Sequence, residues 1–151
     1  MEIAGRRGNY DMKTAIMTDS NSGITKSEAK ELGIFSLPMP VIIDGEICYE
    51  GIDLTQERFY SSLTGGKDVK TSQPSPGEVI GMWDAIFGEG YDGIVHIPMS
   101  SGLSNSYESA AGLAADYDGR VQVADNHRIS VTLRESVLEA KELADQGLSA
   151  K

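Results

Sequence analysis

The run Gly93-Ile94-Val95-His96-Ile97 does most to narrow the fold. It is apolar almost without alternation, which suits a strand buried on both faces, and such strands belong to parallel sheets covered by helices. A hydroxyl-rich turn follows at once, Pro98-Met99-Ser100-Ser101-Gly102-Leu103-Ser104-Asn105-Ser106-Tyr107. After it comes a stretch carrying Ala110, Ala111, Ala114 and Ala115. Alanine loses no side-chain entropy in a helix, so residues 103–116 are expected to be helical. Strand, polar turn and helix in that order make the unit of an α/β fold, whose ligands sit at the carboxyl ends of the strands.

The same unit recurs along the chain. Residues 13–18 read as the first strand, with residues 19–23 as its carboxyl-end loop, where Asp19 and Ser20 cap a turn. Thr25 opens a helix that Gly33 ends. Residues 34–43 are apolar but hold Pro38 and Pro40, which forbids a central strand throughout and predicts an edge or an irregular crossing. Asp44-Gly45, between Val41-Ile42-Ile43 and Glu46-Ile47-Cys48-Tyr49, is a two-residue hairpin signal. Residues 54–63 form a second helix, in which Phe59 and Tyr60 either wall a ligand tunnel or pack onto the sheet. Val79, Ile80, Met82, Trp83, Ile86 and Phe87 make the apolar stripe of a third. Residues 120–124 form the last strand and 129–146 the last helix, stopped by Gly147. The expected fold class is therefore α/β: an open, mostly parallel sheet of three or four strands with helices on both faces, plus a small β-hairpin. Residues 1–12 read as a flexible lead-in, 13–147 as the α/β domain, and 148–151 as the start of a further domain.

One stretch joins an extended segment to a well-marked helix start: Lys70-Thr71-Ser72-Gln73-Pro74-Ser75-Pro76-Gly77-Glu78. Ser75 and Glu78 have capping-box spacing, and Pro76 falls on the first helical position. A helix N-terminus presents free N–H donors and partial positive charge. With Thr71, Ser72 and Gln73 beside it, this start suits a small anion such as a carboxylate; it also reads simply as a capped loop.

Charge and composition remove several function classes. The 151 residues carry a formal net charge of −10, which opposes non-specific binding to nucleic acid or to an anionic membrane. Any anionic ligand is then held by local dipoles. The single cysteine, Cys48, excludes an internal disulfide and fits a reducing cytoplasm, with packing as its expected role. No stretch approaches the roughly 18 apolar residues of a membrane span, and Arg6-Arg7 lead into polar residues instead of an export signal. Asp19 and Asn21 leave a phosphotransferase of the Asp-x-Asp type without its second carboxylate. There is no Gly-x-Ser-x-Gly elbow, no Gly-rich loop ending in Lys-Ser/Thr, and no metal-ligand spacing. His96 is expected to be a satisfied core histidine, Trp83 a core residue, and His127 and Arg128 helix-capping residues that could also assist an anion.

Three motifs, in this order, carry a resemblance: Thr18-Asp19-Ser20, Thr71-Ser72-Gln73-Pro74-Ser75-Pro76 and Ser100-Ser101-Gly102-Leu103-Ser104. Together they resemble the DegV family of bacterial fatty-acid-binding proteins, over residue 13 to the end of the chain. The resemblance implies the amino-terminal one of two α/β domains, with an acyl chain held between them. It implies that Thr71, Ser72, Ser100 and Ser101 donate to the fatty-acid carboxylate. It also implies a fatty acid kinase as partner, no cofactor and no catalysis. Two departures stand out: Asn105-Ser106 replaces the family's Gly-Thr, and His127-Arg128 follow Asp125 where the family has small polar residues. The rival reading is a serine-dependent hydrolase or phosphotransferase on the same scaffold.

Overall fold

Thr14–Asp19 (β1) is buried at every position, so both of its faces must be covered. Its side chains divide by parity. Ala15 and Met17 enter one apolar cluster, Ile16 the opposite one. The computed structural model, which describes residues 12–151, accordingly shows a layered α/β architecture. The expected lead-in, save Met12, lies outside the described residues.

After β1 come Lys26–Leu32 (α1), Phe35–Leu37 (β2), Pro40–Ile43 (β3), Glu46–Tyr49 (β4), Gln56–Thr64 (α2), Val69–Thr71 (β5), Pro76–Gly88 (α3), Gly93–Ile97 (β6), Ser106–Ala114 (α4), Val121–Val123 (β7) and Ser130–Asp145 (α5). Four strands form a parallel sheet in the order β2-β1-β6-β7. One face is covered by α3 and α4 through Val79, Trp83, Ile86 and Ala110. The other is covered by α1 and α5 through Ala29, Leu133 and Val137. Leu133 and Val137 are fully buried, and each such side chain contributes about 1.5–3 kcal/mol. The bidentate Arg134–Glu28 ion pair joins α5 to α1.

The second sheet is antiparallel, in the order β4-β3-β5. Its hairpin turns at Asp44 and Gly45, both with positive φ (49° and 86°), the pairing that matches strand twist. The sequence predicts two strands here and the structure has three: residues 69–71 pair with 41–43. Pro40 is tolerated because it begins β3, and residues 38–39 make the crossing between the sheets. The ribbon keeps its own small core of Val41, Ile43, Cys48 and Leu54, with Phe59 packed against it.

Two expectations about the helices need correction. The helix predicted over 103–116 starts only at Ser106, because serine hydroxyls take the backbone donors ahead of it. Ser100 Oγ accepts from the Gly102 N–H (3.2 Å) and Ser104 Oγ from the Ser106 N–H (3.1 Å). Asn105, at φ −81°, has no need of the freedom that glycine would bring. The second correction concerns His127 and Arg128, which do not cap α5. Its N-cap is Ile129, with no side-chain bond. The His127 N–H is spent on Asp125 and the Arg128 N–H on Asn126, while the Arg128 guanidinium donates to Ser136 Oγ.

Candidate ligand-binding site

The β5–α3 loop and the β6–α4 turn meet at the carboxyl end of the parallel sheet. The first owes its shape to the capping box: Ser75 Oγ accepts from the Glu78 N–H, and Glu78 accepts from the Ser75 N–H at 2.7 Å. Burial alone would raise the Glu78 carboxyl. Bonds from the Ser75 N–H and hydroxyl and from the Tyr49 hydroxyl hold it below its ordinary value instead. Tyr49 thereby ties the ribbon to the start of α3. Thr71 ends β5 opposite Val41, and Ser72 donates its N–H to the Pro40 carbonyl. Both residues are exposed.

Ser100 and Ser101 occupy the other loop. Ser100 is buried, and its carbonyl accepts from Leu103 and Ser104, so its hydroxyl shapes the turn. Ser101 is half-buried and donates its N–H to Asp125 at the end of β7. The Ser101 hydroxyl leads the contacts that hold the Asp125 carboxyl below its ordinary value, and the His127 N–H adds to it. The structure thus groups the four hydroxyl residues as two pairs, one on each loop. Among the described residues no hydrogen bond joins Thr71 or Ser72 to Ser100 or Ser101. What meets between the loops is their prolines. Pro74 and Pro76 face Pro98 across a cavity of about 10 Å³ that is also lined by Asp19, His96, Ser106 and Ser109.

Asp19 is nearly inaccessible, and burial raises its carboxyl above the ordinary value. It accepts from the backbone N–H groups of Asn21 and Met99, both at 2.9 Å, and so locks the β1 loop to the β6 loop. His96 is buried as expected but not satisfied: its Nδ1 has no hydrogen-bond partner. Burial lowers it to about 4.

A larger cleft, about 800 Å³, opens between the parallel sheet's α1 side and the ribbon with α2. Ile24, Pro38, Ile52, Leu54, Phe59, Tyr60 and Met82 give it apolar walls, and Ser20, Thr25 and Glu50 a polar margin. Ser20 bridges its two sides, donating to Glu50 (2.6 Å) and accepting from the Met39 N–H (3.0 Å). Phe59 both packs in the ribbon core and lines the cleft, while Tyr60 is exposed. Sequence reasoning did not find Ile24, Pro38, Ile52 or Met82 as lining residues. The one local signal was Ile52, an apolar residue isolated between Gly51 and Asp53. No helix among the described residues is long and apolar enough to cross a membrane.

Residues 13–151 match the family described as "Uncharacterised protein, DegV family". A DegV domain-containing protein of Staphylococcus aureus (strain N315) is 34% identical over 137 residues, 91% of this chain and 49% of the relative. Two solved structures are similar throughout the same region. One is described as "Fatty Acid Binding of a DegV family Protein from Thermus thermophilus", with TM-score 0.82 and 29% identity over 91% of this chain and 49% of that one. The other is "DegV, a fatty acid binding protein from Bacillus subtilis", with TM-score 0.81 and 30% identity over the same shares. The chain spans about half the length of the curated relatives it matches.

Proposed function

The chain belongs to the DegV family, and from that premise we propose that it binds a long-chain fatty acid without transforming it and presents it to a fatty acid kinase in the cytoplasm. The observation that carries the reading is the likeness, at 29% and 30% identity, to two structures described as fatty-acid-binding. Thr71, Ser72, Ser100 and Ser101 are its carboxylate donors, assisted by the N-terminus of α3. Charge-assisted hydrogen bonds of this kind contribute roughly 1.5–3 kcal/mol each. The acyl tail occupies the 800 Å³ cleft beside Phe59 and Met82, gaining about 0.8 kcal/mol per buried CH₂. Ser72 and Ser20 flank one short segment, bonding to Pro40 and Met39 respectively, so head and tail sites are neighbours. A domain following residue 147 would close over both.

Carriage without catalysis suits the histidines. Among the described residues neither His127, which lies beside Asp125, nor His96, which packs edge-on against Trp83, is hydrogen-bonded to a serine hydroxyl as a base for a serine nucleophile would be.

Native mass spectrometry of the chain purified from cells, with organic extraction, is the direct test, followed by titration with hexadecanoic acid. The Thr71→Ala/Ser101→Ala double variant is expected to bind that acid at least tenfold more weakly. Unchanged affinity would remove both residues from the site.

A further inference from the structure

The small cavity between the two loops sets a few polar side chains into mostly apolar walls. Leu37, Val79, Leu113 and three prolines make its walls, yet His96, Asp19, Ser106 and Ser109 also line it. His96 is 3% exposed and leaves Nδ1 unpaired. A buried nitrogen without a partner is costly, and native folds rarely leave one so. The space, about 10 Å³, accepts one oxygen-sized atom.

The lining selects the chemistry of that atom. A methylene would leave the His96 imidazole, which lines the space, without a polar partner there. An anion would meet the Asp19 carboxylate, whose oxygens are already engaged by two backbone N–H groups. A neutral hydroxyl can both donate and accept, so it pairs with either tautomer of a neutral imidazole and with the serine hydroxyls. Burial keeps the imidazole neutral at physiological pH. The position is also informative: Pro74 stands three residues beyond Thr71, and Pro98 two before Ser100.

We propose that this cavity seats one hydroxyl oxygen, and that the preferred ligand is a fatty acid hydroxylated close to its carboxylate, with water in the seat when the acid lacks that group. The proposal rests on the fatty-acid reading above and specifies its ligand class. His96 is the residue that recognises the hydroxyl, and Ser109, whose hydroxyl makes no hydrogen bond among the described residues, is its second contact.

The test is calorimetric titration of the purified chain with hexadecanoic, 2-hydroxyhexadecanoic and 3-hydroxyhexadecanoic acids, repeated on His96→Phe and Ser109→Ala. The expected result is that one hydroxy acid binds about five- to tenfold more tightly than hexadecanoic acid, as one added hydrogen bond warrants. His96→Phe should bring that ratio to about one. Ser109→Ala, a milder change on α4, should reduce it at least twofold and serves if the core variant does not fold. Equal affinities for all three acids, or a ratio that survives both substitutions, overturns the proposal and leaves the fatty-acid reading standing. If none of the three acids binds, both fall together.

Discussion

Lowering the pH from 7 to 4 is expected to cost this fold about 3 kcal/mol through one side chain. His96 is held at about 4 in the folded chain by burial, against an ordinary value of 6.5. Between those values the unfolded chain binds a proton that the folded chain refuses, so stability rises with pH across the window and is fully present above about 6.5. A gap of about two and a half units at about 1.4 kcal/mol each gives the estimate, most of it lost by pH 4. Other groups titrate nearby. Glu78, Glu28 and Asp125 are held below their ordinary values, so their stabilisation is lost at the acid end of the same range. Asp19, raised by burial, acts in the opposite sense. Subtracting a His96→Phe variant removes these common terms. The replacement keeps a ring against Trp83, where the histidine now lies edge-on at 5.8 Å. Urea unfolding of both chains at half-unit intervals from pH 7 to 4 should show the wild type losing about 3 kcal/mol more than the variant. Parallel pH profiles would refute the reasoning, since they would mean that His96 can take its proton in place, by local opening or through a partner.

Two further predictions follow from the loops. Ser75→Ala deletes one half of the capping box and should destabilise the chain by about 1 kcal/mol, a fall of about 2–4 °C in thermal melting; no change would mean that the Tyr49–Glu78 contact alone sets the start of α3. Asp125→Asn keeps an acceptor for the Ser101 and His127 N–H groups but removes a negative charge beside Ser101, so the variant should bind hexadecanoic acid severalfold more tightly in the same titration, and weaker binding would show that the aspartate orients the Ser101 hydroxyl toward the ligand.

The parts of this fold that sequence can reveal are those whose cause is local. The near-continuous apolar run at residues 93–97 demands cover on both faces, and the helices on either side supply it. Asp44-Gly45 dictates a tight turn because both residues accept positive φ, and Ser75 with Glu78 three residues on marks the helix that starts at Pro76. Residues 69–71 join a sheet only because residues 41–43 offer them an edge, a pairing that no short window records. The two hydroxyl-rich loops divide in the same way. Their hydroxyls are plain in the sequence, yet the donor capacity of each hydroxyl depends on distant residues: Ser101 meets Asp125 from 24 positions away, and Ser20 meets Glu50 from 30. His96 shows the limit most sharply. A histidine among apolar residues reads correctly as buried, because strand periodicity fixes which face it takes. Whether its nitrogens are paired depends on what lies opposite across α3 and α4, and there the structure has prolines, two serines and a space of one atom's size. Burial follows from pattern, whereas satisfaction follows from assembly, so a sequence-legible core position can still conceal an unpaired polar group.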